Sequence, residues 1–294
     1  MGLITSFLAT FGPGAALLAA YTALRFIWPH ARPHVSGHDE LATRFLHATR
    51  GKPAWALVAD AAAPVPREMC FELAARGFNV VLYGQGQGQG DGLGALRALL
   101  ARRFPENKYR VVVADADADA GGRADGEDRF AARVARSLED VNLTVVVDNL
   151  DTAGAALPAP LVAALMPLLR RNAPALVVNV VSPAVGTGVE PCSLCVANKA
   201  FSSGKYGDGD EVGVDLVFCH LGEVASGGQR ISLLCPTPRG MARAVLAHAG
   251  CSGDSGRGAR AVMYPYWPHG LLQGMREVLP KRAVDRVLVL VEGI

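Results

Sequence analysis

From Ala54 onward the chain alternates short apolar runs with amphipathic stretches. The runs are "AWALVA" (54–59), "FNVVLY" (78–83), "YRVVVAD" (109–115), "NLTVVVD" (142–148), "ALVVNVVS" (175–182), "VDLVFC" (214–219) and "ARAVMY" (259–264). They are rich in Val and Leu with little polar alternation, the pattern of strands buried on both faces of a parallel sheet. Between the first two lies "PREMCFELAARG", which predicts a helix entered at Pro66, where proline is tolerated, and ended by Gly77. Similar helical segments follow Gly92, Gly126, Pro160 and Pro236. Repeated strand–helix units predict a doubly wound, mostly parallel α/β domain over residues 53–294.

The N-terminus follows a different pattern. Gly2 to Leu24 carries no charge, and roughly 20 apolar residues suffice to cross a bilayer. The first charge is Arg25, followed by Trp28 and Arg32, an aromatic and basic border. No Lys or Arg precedes the apolar run, so an uncleaved anchor over 1–30 fits better than a signal peptide. Gly12-Pro13-Gly14 marks a kink or re-entrant point, and residues 31–52 are expected as a linker. The positive-inside tendency places the bulk of the chain in the cytosol. His30, His34 and His38 recur every four residues, but Pro33 and Gly37 break the helix that a metal-binding face would need.

Composition narrows the function classes. A net charge of +2, with no basic stripe interleaved by aromatics, gives no case for nucleic acid. The six cysteines (70, 192, 195, 219, 235 and 251) are too sparse for a disulfide framework. Cys192 and Cys195 form a C-x-x-C pair, which leaves a thiol redox role as one alternative. Zinc would need a second pair at suitable spacing, and none is present, so no metal is expected. The tracts "GQGQGQGDG" (84–92) and "ADADADAGGRADGED" (114–128) read as solvated loops.

A literal dinucleotide fingerprint, "GDGLGA", offers Gly90, Gly92 and Ala95, with Asp115 twenty residues on. It starts seven residues past Tyr83, whereas the motif needs its tight turn directly after the strand. The segment "WALVADAAAPVPREMCFELAARGFNVVL" is more informative. It resembles the opening of short-chain dehydrogenases/reductases, W-A-L-V-T-G-A-S-x-G-I-G-x-E followed by L-A-x-R-G-F-N-V-V-L. The closing "MYPYWPHGLLQGMREVLP" (263–280) and the N-terminal apolar span resemble the membrane-anchored 3-oxoacyl-CoA reductase and 17-beta-hydroxysteroid dehydrogenase branch.

The resemblance implies a Rossmann-like fold and NADPH or NADP as cofactor, and it assigns positions. The glycine-rich turn falls on Asp60, Pro64 and Pro66, with Val65 at the isoleucine. Asp115 matches the acidic residue closing the third strand, Asn149 the retained asparagine of N-N-x-G, and Gly222 the glycine of the P-G after the sixth strand. Ser182 matches the catalytic serine and Lys199 the catalytic, ribose-binding lysine. The tyrosine of Tyr-x-x-x-Lys falls on Cys195, and no position matches the further asparagine. The two helices that usually pair subunits lie in shortened stretches, so the family's dimer face is expected to be altered. His220 and His269 are expected to be packed or surface residues.

These matches imply a membrane-anchored homologue of the 3-oxoacyl-CoA/steroid ketoreductases with impaired catalysis. It would face the cytosol from the endoplasmic reticulum and have an acyl-CoA or steroid as its ligand. One alternative is an active NADPH-dependent reductase or 17-beta-hydroxysteroid dehydrogenase using Ser182, Lys199 and water or Cys195. Another is a thiol redox protein using Cys192 and Cys195.

Overall fold

The computed structural model describes Tyr21, residues 39–85, 89–114, 123–149, 159–181, 213–225, 229–251 and 261–278, with Arg282 and Arg286. Among the described residues, seven strands lie where the apolar runs are: β1 (Ala54–Val58), β2 (Asn79–Gln85), β3 (Tyr109–Ala114), β4 (Asn142–Asn149), β5 (Ala175–Val181), β6 (Val214–His220) and β7 (Ala261–Met263). They form one sheet in the order β3-β2-β1-β4-β5-β6-β7, and every neighbouring pair is parallel. The order reverses between β1 and β4, which makes their C-terminal ends the topological switch point.

Period-two alternation divides the sheet's side chains between two cores. In β1, Ala54, Ala56 and Val58 enter one cluster, while Trp55, Leu57 and the following Ala59 enter the other. A register shift between Trp55 and Ala56 against β4 inverts that strand's parity, so Leu143 and Val145 belong to opposite faces. Burying side chains of this size contributes about 1.5–3 kcal/mol each before entropy is counted. That is why so few polar residues interrupt these runs. Asn79, one that does, donates from Nδ2 to the Ala54 carbonyl at 3.2 Å and accepts the Lys108 N–H at 2.7 Å.

One face carries α2 (Pro64–Ala75), α3 (Gln89–Arg103) and α6 (Pro238–Cys251), and the other α4 (Arg123–Ser137) and α5 (Ala159–Arg171). Helix α7 (Trp267–Val278) follows β7. The helix expected from Pro66 begins at Pro64 and stops ahead of Gly77. Within the expected linker, α1 (Glu40–Phe45) is capped by Asp39, whose Oδ1 accepts the Ala42 N–H at 3.2 Å. Leu41 and Phe45 of α1 are buried with α6. The approach is close: a Cβ at Gly250 would lie 2.5 Å from the Leu41 nitrogen. Arg44 clamps it by donating to the Gly250 carbonyl at 3.1 Å and to the Asp215 carboxylate.

Among the described residues, no helix is long and apolar enough to cross a membrane. The apolar stretch 2–24 lies outside them apart from Tyr21.

Candidate functional site at the β1/β4 switch point

Open parallel α/β sheets bind ligands outside the carboxyl ends of their strands, where the order reverses. Asp60 lies there, on the turn leaving β1, and Asn149 ends β4. The two meet across the crevice, Asn149 Nδ2 donating to Asp60 Oδ2 at 3.2 Å. Asp60 has φ +48, a left-handed conformation that favours glycine and that Asp adopts more readily than most residues. The backbone therefore keeps a conformation suited to glycine while the side chain adds a negative charge. Asp148, one residue before Asn149, is also buried.

The turn's donors are largely engaged. The Ala61 N–H donates to the Tyr83 carbonyl at 3.0 Å and the Ala63 N–H to that of Asp60 at 2.9 Å. Helix α2 follows with Ala63 as its N-cap and no side-chain capping bond. Of its first three positions, Pro64 and Pro66 carry no N–H, so Val65 is the one donor an anion would meet. A helix N-terminus binds phosphate through such N–H groups and its positive dipole end. Here two of three are missing and a carboxylate stands beside them. These residues do not fit a dinucleotide's diphosphate.

At the far side of the same edge, Gly222 lies two residues past β6. Its N–H donates to His269 Nδ1 at 3.0 Å, and His269 Nε2 is 2.8 Å from the Leu234 carbonyl oxygen. Burial lowers the His269 pKa below its ordinary 6.5, although the Leu234 hydrogen bond and the Glu223 charge oppose this. His220 ends β6, stacks on Tyr264 at 5.4 Å, and is likewise held below 6.5 by burial. Both histidines are packed.

Asp115, Ser182, Cys192, Cys195 and Lys199 lie outside the described residues. Of the anticipated positions, the structure thus joins Asp60 to Asn149, places Val65 in the first turn of α2 and places Gly222 two residues past β6. The "GDGLGA" match fails on placement: Gly90, Gly92 and Ala95 lie inside α3 rather than in a turn. A Cβ at Gly92 would meet nothing within 4 Å, so nothing there requires glycine. Leu93, Leu96 and Leu100 are buried on that helix, and their spacing sets its course. Among the described residues no group of His, Cys, Asp and Glu is placed to hold a metal.

Two features had no sequence signal. One is His269 as the partner of Gly222. The other is Glu72, a buried carboxylate of α2 that accepts from Arg243 Nε at 2.7 Å, Arg76 at 3.3 Å and Arg239 at 3.4 Å. Burial pushes the Glu72 pKa up, but the hydrogen bonds and charges of these arginines together hold it below 4.5. It lines a groove of about 500 Å³ with Arg243, Tyr266 and Trp267, formed by α2, α6 and the approach to α7.

No family model and no curated protein matches the sequence. Solved structures do match. A short chain dehydrogenase from Salmonella enterica serovar Typhi superposes with a TM-score of 0.53 at 15% identity, over 77% of this chain and 97% of that one. The fold is that of the short-chain dehydrogenases/reductases. A second structure with this fold is an NADPH-bound short chain oxidoreductase from Pseudomonas aeruginosa PAO1, described as containing an atypical catalytic center. It superposes with a TM-score of 0.50 at 19% identity, over 72% of this chain and 95% of that one.

Proposed function

We propose that this chain is a membrane-anchored protein of the short-chain dehydrogenase/reductase fold that acts by binding rather than by turnover, its hydride-transfer chemistry impaired. The observation that carries this reading is Asp60, bonded to Asn149 at 3.2 Å across the switch point. It stands beside a helix whose first turn has lost two N–H groups to proline. Bound diphosphate would meet charge repulsion where the fold ordinarily offers donors.

The sequence supports the same conclusion at the reacting centre. Cys195 stands four residues before Lys199, where the resemblance calls for tyrosine. A general acid must come within about 2.6–3.2 Å of the oxygen it protonates, and a cysteine sulfur ends several ångströms short of a phenol's reach. The uncharged stretch 2–24 and the closing segment 263–280 support the 3-oxoacyl-CoA/steroid branch. With them come an acyl-CoA or steroid ligand and a cytosol-facing position on the endoplasmic reticulum membrane. Titrating the full chain in detergent with NADPH, followed by nicotinamide fluorescence, tests this. Micromolar binding accompanied by turnover of a ketone overturns it.

A second reading is an active NADPH-dependent ketoreductase in which Ser182 and Lys199 work with water or Cys195. The Pseudomonas structure favours it, since it is NADPH-bound and is described as containing an atypical catalytic center. NADPH oxidation by a ketone that Lys199→Ala abolishes would select this reading.

A further inference from the structure

We infer that His269 is a positioning residue that, neutral and protonated on Nε2, holds the segment leaving β6 in place at the C-terminal edge of the sheet. Two bonds assign the proton. Nδ1 lies 3.0 Å from the Gly222 N–H, which can only donate, so Nδ1 carries a lone pair. Nε2 lies 2.8 Å from the Leu234 carbonyl oxygen, which can only accept, so Nε2 carries the hydrogen. One neutral tautomer satisfies both contacts, and no other protonation state does.

The ring is buried. It meets Tyr266 edge-on at 5.0 Å between centroids, and a Cβ at position 222 would lie 2.4 Å from Nδ1. The ring joins three separate segments: the exit from β6, the turn closed by bonds between Ser232 and Cys235, and the start of α7. The Ala225 N–H to Pro236 carbonyl bond, 2.9 Å, ties the first of these to the chain just after the turn. His269 thus holds the β6 exit from the side of α7.

The titratable groups around the ring are few among the described residues. Glu223 comes from the β6 exit, and its charge acts on the imidazole. Tyr266 comes from the approach to α7 and meets the ring edge-on, and the turn contributes the uncharged Leu234 carbonyl. Protonating Nδ1 sets a hydrogen against the Gly222 N–H, two donors face to face, and the segment is released. This goes beyond the proposed function, and its test needs no nucleotide.

The experiment is hydrogen exchange of the full chain, read over residues 221–225 as protection relative to the intrinsic rate at each pH. His269→Ala is expected to lower that protection about tenfold at neutral pH, the equivalent of one lost hydrogen bond. Wild type is expected to lose it similarly on acidification below the ordinary histidine range. In His269→Asn, an amide oxygen near the Nδ1 position accepts from Gly222 and does not titrate. It should restore protection and abolish the pH dependence. Nitrogen shifts of the His269 ring in wild type should report Nε2–H at neutral pH, a readout that stands even if the alanine variant fails to fold. Unchanged protection in His269→Ala, wild-type pH dependence in His269→Asn, or a ring protonated on Nδ1 at neutral pH would each overturn the inference.

Discussion

Asp60→Gly isolates the charge at the switch point. At φ +48 a side chain costs about 1 kcal/mol relative to glycine, so the substitution relieves that amount. It also removes the 3.2 Å bond from Asn149, worth about 1 kcal/mol net. The two nearly cancel, and the unfolding midpoint should move by no more than a few degrees. Affinity for a dinucleotide should move further. A carboxylate roughly 4 Å from a diphosphate oxygen costs about 4 kcal/mol at an effective dielectric of 20 and about 1 in bulk water. Asp60 is half-buried, so the expected gain is about 2 kcal/mol, or roughly thirty-fold in Kd. NADPH fluorescence titration of both proteins measures this, and added salt should narrow the difference. Asp60→Asn, which removes the charge while tolerating positive φ, should recover most of the gain. If both variants fold and bind no tighter than wild type, repulsion from Asp60 does not oppose dinucleotide binding.

Further outcomes follow from the same geometry. Glu72→Gln leaves Arg76, Arg239 and Arg243 without their shared carboxylate. It should cost about 2 kcal/mol in urea unfolding, the exposed ends of the arginines being partly screened. Because the folded-state pKa of Glu72 lies below 4.5, its contribution is complete above 4.5 and disappears as pH falls through the lowered value. His220 and His269, both held below 6.5, stabilise fully above 6.5. Acid titration of the midpoint should show that stability declining below 6.5, less steeply in His269→Asn. Asn79→Ala strands the buried Ala54 carbonyl and the Lys108 N–H and should cost about 2 kcal/mol in the same assay. Burial pushes the Cys219 thiol up to about 12 and raises that of Cys70 further. Peptide mapping after native alkylation should therefore find both unmodified when the partly exposed Cys251 has reacted.

The order of strands and helices was legible in the chain because a strand covered on both faces can hold few polar residues, and burial writes that demand into every position. Asp60 and the two prolines were legible as departures from a glycine turn for a similarly local reason: glycine and proline act on their own backbone. Pairings between distant residues leave no such mark. Asn149 reaches Asp60 across 89 positions only because β4 lies beside β1, and Gly222 finds His269 across 47 only because α7 returns to that edge. Neither contact repeats with a period. Helix starts were also decided by packing: α3 begins at Gln89 to seat Leu93, Leu96 and Leu100 in the core, carrying "GDGLGA" out of any turn. The same holds for α1, where Leu41 and Phe45 join the core only when α6 supplies the opposing surface. What belongs in the interior is a property of each residue, whereas who meets whom there is a property of the assembled sheet.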